Sequence, residues 1–229
     1  DTADRGDNPG EMGDDLPAVA LGTGRSATAI SAGGDHTCAR LDNGTVKCWG
    51  ENAFGRLGQG DINDRGDNPG EMGDNLPAVA LGTGRTAASV TAGSFHTCAR
   101  LDNGTVKCWG ANGAGKWGLG DTANRGDGVN EMGDNLPAVA LGTGRTATAV
   151  SADSGSLHTC ARLDNAAVKC WGENGRGQLG VGDTADRGDA ATEMGAHIPE
   201  IPLRTGRPVA PTTAGGAHTL APLAPSRIR

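Results

Sequence analysis

Six cysteines stand in three pairs of the form C-x9-C: Cys38 and Cys48, Cys98 and Cys108, Cys160 and Cys170. Each pair brackets the same phrase, which runs from His36 to Gly50, returns unchanged from His96 to Gly110, and returns from His158 to Gly172 altered only at Ala166 and Ala167. Asp42-Asn43-Gly44 reads as a three-residue hairpin loop with Gly44 in the left-handed position of a bulge. Leu41 then faces Thr45, Arg40 faces Val46, and Cys38 falls opposite Cys48. Opposed residues in an antiparallel pair have Cβ atoms about 4.5–5.5 Å apart; a disulfide needs slightly less, which strand twist can supply. The spacing predicts a disulfide within each hairpin, the alternative being buried thiols that act as small hydrophobes. A fourth copy starts at His218-Thr219 with Leu220 in place of the first cysteine, and it has no second one, so no thiol is stranded. Disulfides imply an oxidising compartment, hence secretion or display at a cell surface.

Other residues invite chemistry less directly. His36, His96, His158 and His218 occupy one equivalent place per copy, so they would be spread along an array, not converged on a metal. A structural hydrogen bond to backbone is the expectation for them. The acidic linkers (1–15, 50–75, 110–135 and 172–197) gather carboxylates among glycine turns, the raw material of a calcium site. Asp61, Asp64, Asp67, Asp121, Asp127, Asp183, Asp186 and Asp189 are its candidate ligands, although the spacing is not that of an EF-hand loop. The alternative is a solvated or self-paired loop, with Arg65 bound to Asp64 or Asp67. Arg-Gly-Asp recurs at Arg5, Arg65, Arg125 and Arg187, a triplet that copying of the whole unit explains without integrin recognition. The glycine ladder after each tryptophan (49–61, 109–121, 171–183) lacks the helix N-terminus and Lys-Ser/Thr of a phosphate loop; tight turns and close backbone approach account for it. Asn43-Gly44-Thr45 and Asn103-Gly104-Thr105 match glycosylation acceptors and, equally, Asn-Gly turns.

The elements that must hold these residues follow from composition. The 229 residues include 40 Gly and 11 Pro, with 4 Trp, 2 Phe and no Tyr. Such a chain disfavours helices and must build its core from Val, Leu, Ala, Cys and the few Trp. Each copy offers four short strands, in the first copy at residues 17–21, 27–32, 37–41 and 45–49, separated by Gly-rich turns. The expected architecture is all-β: a propeller-like array of four-stranded blades over residues 17–49, 77–109 and 137–171, with a partial fourth at 199–221. Ala166 replaces the hairpin glycine, so Asn165 or a changed turn is expected to absorb a strain of about 1 kcal/mol. Pro222 and Pro225 interrupt the last strand of the final copy.

The pattern H-T-x-A-x-x-x-x-G-x-V-x-x-W-G-x-N-x-x-G-x-x-G-x-G-D, with Asn52, Asn112 and Asn174 at its asparagine and Gly58, Gly118 and Gly180 among its final glycines, resembles the regulator of chromosome condensation repeat family. The resemblance covers nearly the whole chain, and the long acidic linkers are similar to those of bacterial secreted members. It implies a ring, commonly of seven blades, of which this chain supplies three and part of a fourth. An open array exposes strand edges and end faces that invite another chain. Three arrangements meet that requirement: a piece of a longer protein, a ring closed by oligomerisation, or an end-to-end polymer.

Net charge of -7 with scattered Lys and Arg argues against nucleic acid as the main partner, and no apolar stretch is long enough to insert in a bilayer. Polar residues recur with the unit, without the asymmetry of an enzyme pocket. The expected function is a non-enzymatic extracellular scaffold without cofactor, calcium aside, whose partners are further copies of itself or other proteins. A multivalent lectin or adhesin is the alternative, with Trp117 the one tryptophan that departs from the repeat. Guanine-nucleotide exchange, known for the founding eukaryotic member, is implied by the resemblance alone.

Overall fold

The computed structural model describes residues 6–203 and 213–222. Three antiparallel sheets repeat along the chain: β1 (Ala27–Ala32), β2 (His36–Leu41) and β3 (Val46–Gly50); β4 (Ala87–Ala92), β5 (His96–Leu101) and β6 (Val106–Gly110); and β7 (Ala147–Ser151), β8 (His158–Leu163) and β9 (Val168–Gly172). A two-stranded remnant, β10 (Thr213–Ala214) with β11 (Thr219–Leu220), begins a fourth.

The hairpin register is the one the loop dictates. Arg40 pairs with Val46 and Cys38 with Cys48, and Leu41 N–H donates to the Thr45 carbonyl over 2.8 Å. The same register sets Cys98 opposite Cys108 and Cys160 opposite Cys170. All three pairs are disulfides: Cys38 with Cys48, Cys98 with Cys108, and Cys160 with Cys170. No cysteine is free, so the alternative of buried thiols does not apply. Gly44 takes φ +78°, the left-handed value its place in the loop requires. In the third hairpin Ala166 itself adopts the left-handed angle (φ +68°), in place of Asn165 or a changed turn.

The sheets have three strands, not four. Residues 17–21, 77–81 and 137–141 lie outside any helix or sheet. Pro77 and Pro137 have no N–H to give to a ladder. Instead Val79 N–H reaches back to the Val46 carbonyl, Val139 N–H to that of Val106 and Ile201 N–H to that of Val168, each over 2.8–2.9 Å. Each unit therefore covers the outer strand of the unit before it. Of the partial blade expected at 199–221, residues 204–212 lie outside the described residues, as does Pro225.

No blade has a core of its own. Cys38, Val46, Cys48 and Leu57 of the first unit share a cluster with Val79, Leu81, Val90, Leu101 and Trp109 of the second. Cys98, Val106, Cys108 and Trp117 meet Val139, Leu141, Leu163 and Trp171 in the same way at the next seam. Cys160, Val168, Cys170 and Leu179 of the third unit gather around Ala214 of the remnant. Burial of apolar surface, at about 25 cal/mol per Å², thus acts between units and holds the array together as a stack.

Candidate interaction surface

The polar residues that recur with the unit converge on these seams. His36 Nε2 lies 2.8 Å from Thr97 Oγ1, His96 Nε2 2.9 Å from Thr159 Oγ1, and His158 Nε2 2.8 Å from Thr219 Oγ1. Each threonine hydroxyl donates to a carbonyl of the preceding glycine ladder, at Arg56, Lys116 and Gln178. Its one hydrogen being used, the hydroxyl accepts, so the histidine is the neutral Nε2–H form. Burial, reinforced by the Arg56 charge, lowers the His36 pKa to about 4; burial, with Lys116 nearby, lowers that of His96 to about 3; burial lowers that of His158 to about 4. Sequence reasoning expects a bond from histidine to backbone. The partner is instead the threonine hydroxyl of the next unit, 61 residues away for His36.

Tryptophan and glycine complete the seam. Trp109 Nε1–H donates to the Arg56 carbonyl and Trp171 Nε1–H to that of Lys116. A Cβ at Gly55 would overlap the backbone of Gly126 and Asp127, because the ladder of one unit rests on the Arg-Gly-Asp turn of the next.

Arg65 is paired with Asp61, in place of Asp64 or Asp67, and likewise Arg125 with Asp121 and Arg187 with Asp183, at 2.6–2.8 Å. Asp64 Oδ1 accepts from Asn52 N–H, and Asp186 Oδ1 from Asn174 N–H. Glu71 caps the turn by accepting from the N–H groups of Asn68 and Gly66, which hold its carboxyl below the usual range. Asp127 is pushed the other way, by burial and by the neighbouring Glu131. Asp61, Asp64, Asp121, Asp183 and Asp186 are thus bonded within their own loops. Among the described residues no three Asp, Glu, His or Cys side chains stand together as metal ligands, Asp67 and Asp189 included. Arg5 lies outside the described residues. Trp117 is fully buried, with Arg125 over its ring, and offers no face to a sugar. Asn43 accepts from the N–H and hydroxyl of Thr45, closing its own turn.

The seam also defines what its absence exposes. Ile30 on β1 is 66% exposed, whereas its counterpart Val90 is 9% exposed. Val19 is 55% exposed against 5% for Val79. Among the described residues, the Thr37 hydroxyl makes neither of the bonds that Thr97 makes. At the opposite end His218 is exposed. One end of the array presents the acceptor half of a seam and the other the donor half. Thr97, Thr159 and Thr219 were visible in the repeat, but nothing local in the sequence linked them to histidines a full unit away.

Three-stranded blades, seams that bury the core and Gly-rich linkers define a β-propeller repeat array. Models described as "Regulator of chromosome condensation (RCC1) repeat" match residues 27–56, 87–116 and 148–178, and 43–100, together more than half of the sequence. The chain belongs to the RCC1 repeat family. It is 35% identical over 163 residues to the ultraviolet-B receptor UVR8 of Arabidopsis thaliana, covering 71% of this chain and 33% of that protein. It is 34% identical over 154 residues to the mitochondrial RCC1 domain-containing protein RUG3 of the same plant, covering 67% and 32%. It is 30% identical over 180 residues to the human E3 ubiquitin-protein ligase HERC2, covering 78% of this chain and 3% of that one. The chain thus spans a third or less of these relatives. Among solved structures, Prp20p of Saccharomyces cerevisiae, described with its binding to Gsp1p and histones, superposes with a TM-score of 0.61 at 18% identity, over 85% of this chain and 43% of that one. Yeast RCC1 (Prp20) bound to Kap60 gives 0.58 at 18%, over 85% and 41%. These likenesses establish the fold.

Proposed function

We propose that this chain is a non-enzymatic interaction scaffold of an oxidising, extracellular or cell-surface setting, whose open ends associate head to tail with further copies. The observation that carries this reading is the pair of matching half-seams: Ile30, Val19 and Thr37 at one end, His218 and Leu220 at the other. Within the chain the equivalent positions are buried or half-buried wherever a neighbour is present, and the equivalent histidines and threonines are bonded. A head-to-tail contact is heterologous, so it closes into a ring or grows into a filament. Three disulfides support the oxidising setting. The recurring histidines, committed to structural bonds, support a role without catalysis. That Prp20p is described with protein partners supports protein as the partner class.

Light scattering of the full chain across a concentration series tests this, with Ile30→Asp and Leu220→Asp as variants of the two ends. A mass that rises with concentration, and returns to the monomer in either variant, is expected. A monomer at every concentration refutes head-to-tail association.

A further inference from the structure

A groove beside the first glycine ladder carries two apolar residues, Phe54 and Ile62, that the other units do not share. It encloses about 400 Å³ between Glu51, Ala53, Phe54, Ile62, Asp64 and Asp127. Phe54 is 47% and Ile62 63% exposed. The equivalent places hold Ala114 and Arg176, and Thr122 and Thr184. Phe54 also sits at φ +65°, a left-handed angle that is unfavourable for a bulky residue. A large apolar side chain is thus held in solvent, in a conformation that glycine would adopt more readily, where nothing in the fold of the unit requires it.

The walls are acidic. Glu51, Asp64 and Asp127 line the groove, and Asp35 stands behind Glu51. Arg56, which is buried, is paired with Asp35 at 3.5 Å and Glu51 at 3.3 Å. Among the described residues no lysine or arginine lines the groove. An apolar floor between carboxylates is complementary to an apolar side chain flanked by cations. Arg227-Ile228-Arg229, outside the described residues, is the only place in this sequence where an apolar residue stands directly between two basic ones.

We propose that the Phe54–Ile62 groove binds the Arg227-Ile228-Arg229 segment of a second copy, with Ile228 against Phe54 and Ile62 and the two guanidinium groups on the surrounding carboxylates. The proposal rests on the self-association reading but uses residues separate from the half-seams.

The probe is a fluorescent peptide of residues 222–229, titrated by anisotropy onto the full chain. Saturable binding is expected, weakened at least tenfold by Phe54→Gly and by Ile62→Thr, the residue the other units carry. Phe54→Gly should leave the thermal midpoint unchanged or higher, which separates lost recognition from lost folding. A peptide with Ile228→Ser should bind at least tenfold more weakly at equal charge. No saturable binding, equal binding by the serine peptide, or binding indifferent to Phe54→Gly would each overturn the proposal. In the full chain, Ile228→Ser should reduce the mass seen by light scattering. If that variant associates like the parent while Ile30→Asp abolishes association, the groove proposal falls and head-to-tail association stands.

Discussion

Adding one methyl group at Gly104 should unsettle a whole seam. Gly104 closes the second hairpin at φ +79°, and a Cβ placed there stands 2.9 Å from the Thr146 Cβ of the next unit. Two costs follow from Gly104→Ala. Left-handed backbone disfavours an L-residue by roughly 1–2 kcal/mol, partly offset by about 0.5–1 kcal/mol because alanine has less freedom to lose from the unfolded chain. The overlap with Thr146 adds roughly 1–3 kcal/mol of overpacking. It strains a place where the Ala147 N–H also reaches the Gly104 carbonyl at 2.8 Å. A net loss of about 2 kcal/mol is expected, which for a chain of this size lowers the thermal midpoint by roughly 4–8 °C. The third hairpin supplies the mirror experiment: Ala166 already bears the strained angle, so Ala166→Gly should raise stability by about 0.5–1 kcal/mol. Urea and thermal unfolding, followed by tryptophan fluorescence, measure both. A loss below about 0.5 kcal/mol for Gly104→Ala, or a destabilised Ala166→Gly, would refute the reasoning about hairpin angle and seam contact.

Acid should weaken the array in a window set by its histidines. Their folded pKa values lie near 3 to 4, below the ordinary 6.5, so the folded chain binds fewer protons than the unfolded one. Their contribution is complete above pH 6.5 and drains as the pH falls toward 4; the urea midpoint should drop between pH 7 and 4.5, and His96→Gln should flatten that slope. Thr97→Val removes both the acceptor for His36 and the donor to the Arg56 carbonyl; a loss of about 2–3 kcal/mol is expected in urea unfolding, with little change in the overall circular dichroism. Reduction opens three loops, each of sequence separation 10. Removing a single disulfide, such as Cys160 with Cys170, by paired Cys→Ala substitution should cost about 2–3 kcal/mol, and intact mass before and after reduction and alkylation should count all three.

What the sequence made legible was whatever is decided within one unit. The pairing of Cys38 with Cys48 needed only a loop of known length, and a loop residue fixes the register of the whole hairpin at once. What it concealed was decided between units. Residues 77–81 look like the first strand of their own copy, yet Val79 bonds to Val46 of the copy before. In a periodic sequence the boundary between units can be drawn anywhere, so the offset between repeat and blade leaves no local mark. The histidine–threonine bonds were hidden for the same reason, since each links positions a full period apart. The linker carboxylates were legible in number but not in partner: arginine four residues on pairs with Asp61 and with Asp183, and the N–H groups of Asn52 and Asn174 bond Asp64 and Asp186. Ala166 was legible as strain but not in its location. The turn keeps its shape and the substituted residue yields, because Leu163 and Ala167 are already tied by a hydrogen bond on either side of it.

Because the core lies between blades, every internal seam asks the same question of its neighbours and receives the same answer. A tandem duplication or deletion that removes or adds one whole period joins a donor half to an acceptor half wherever the cut falls. It keeps the histidine–threonine bonds in register. Disulfides close inside a single hairpin and so are never split by such an event. Array length in this architecture is therefore a quantity that recombination can vary while the hairpins and their histidine–threonine links stay in register.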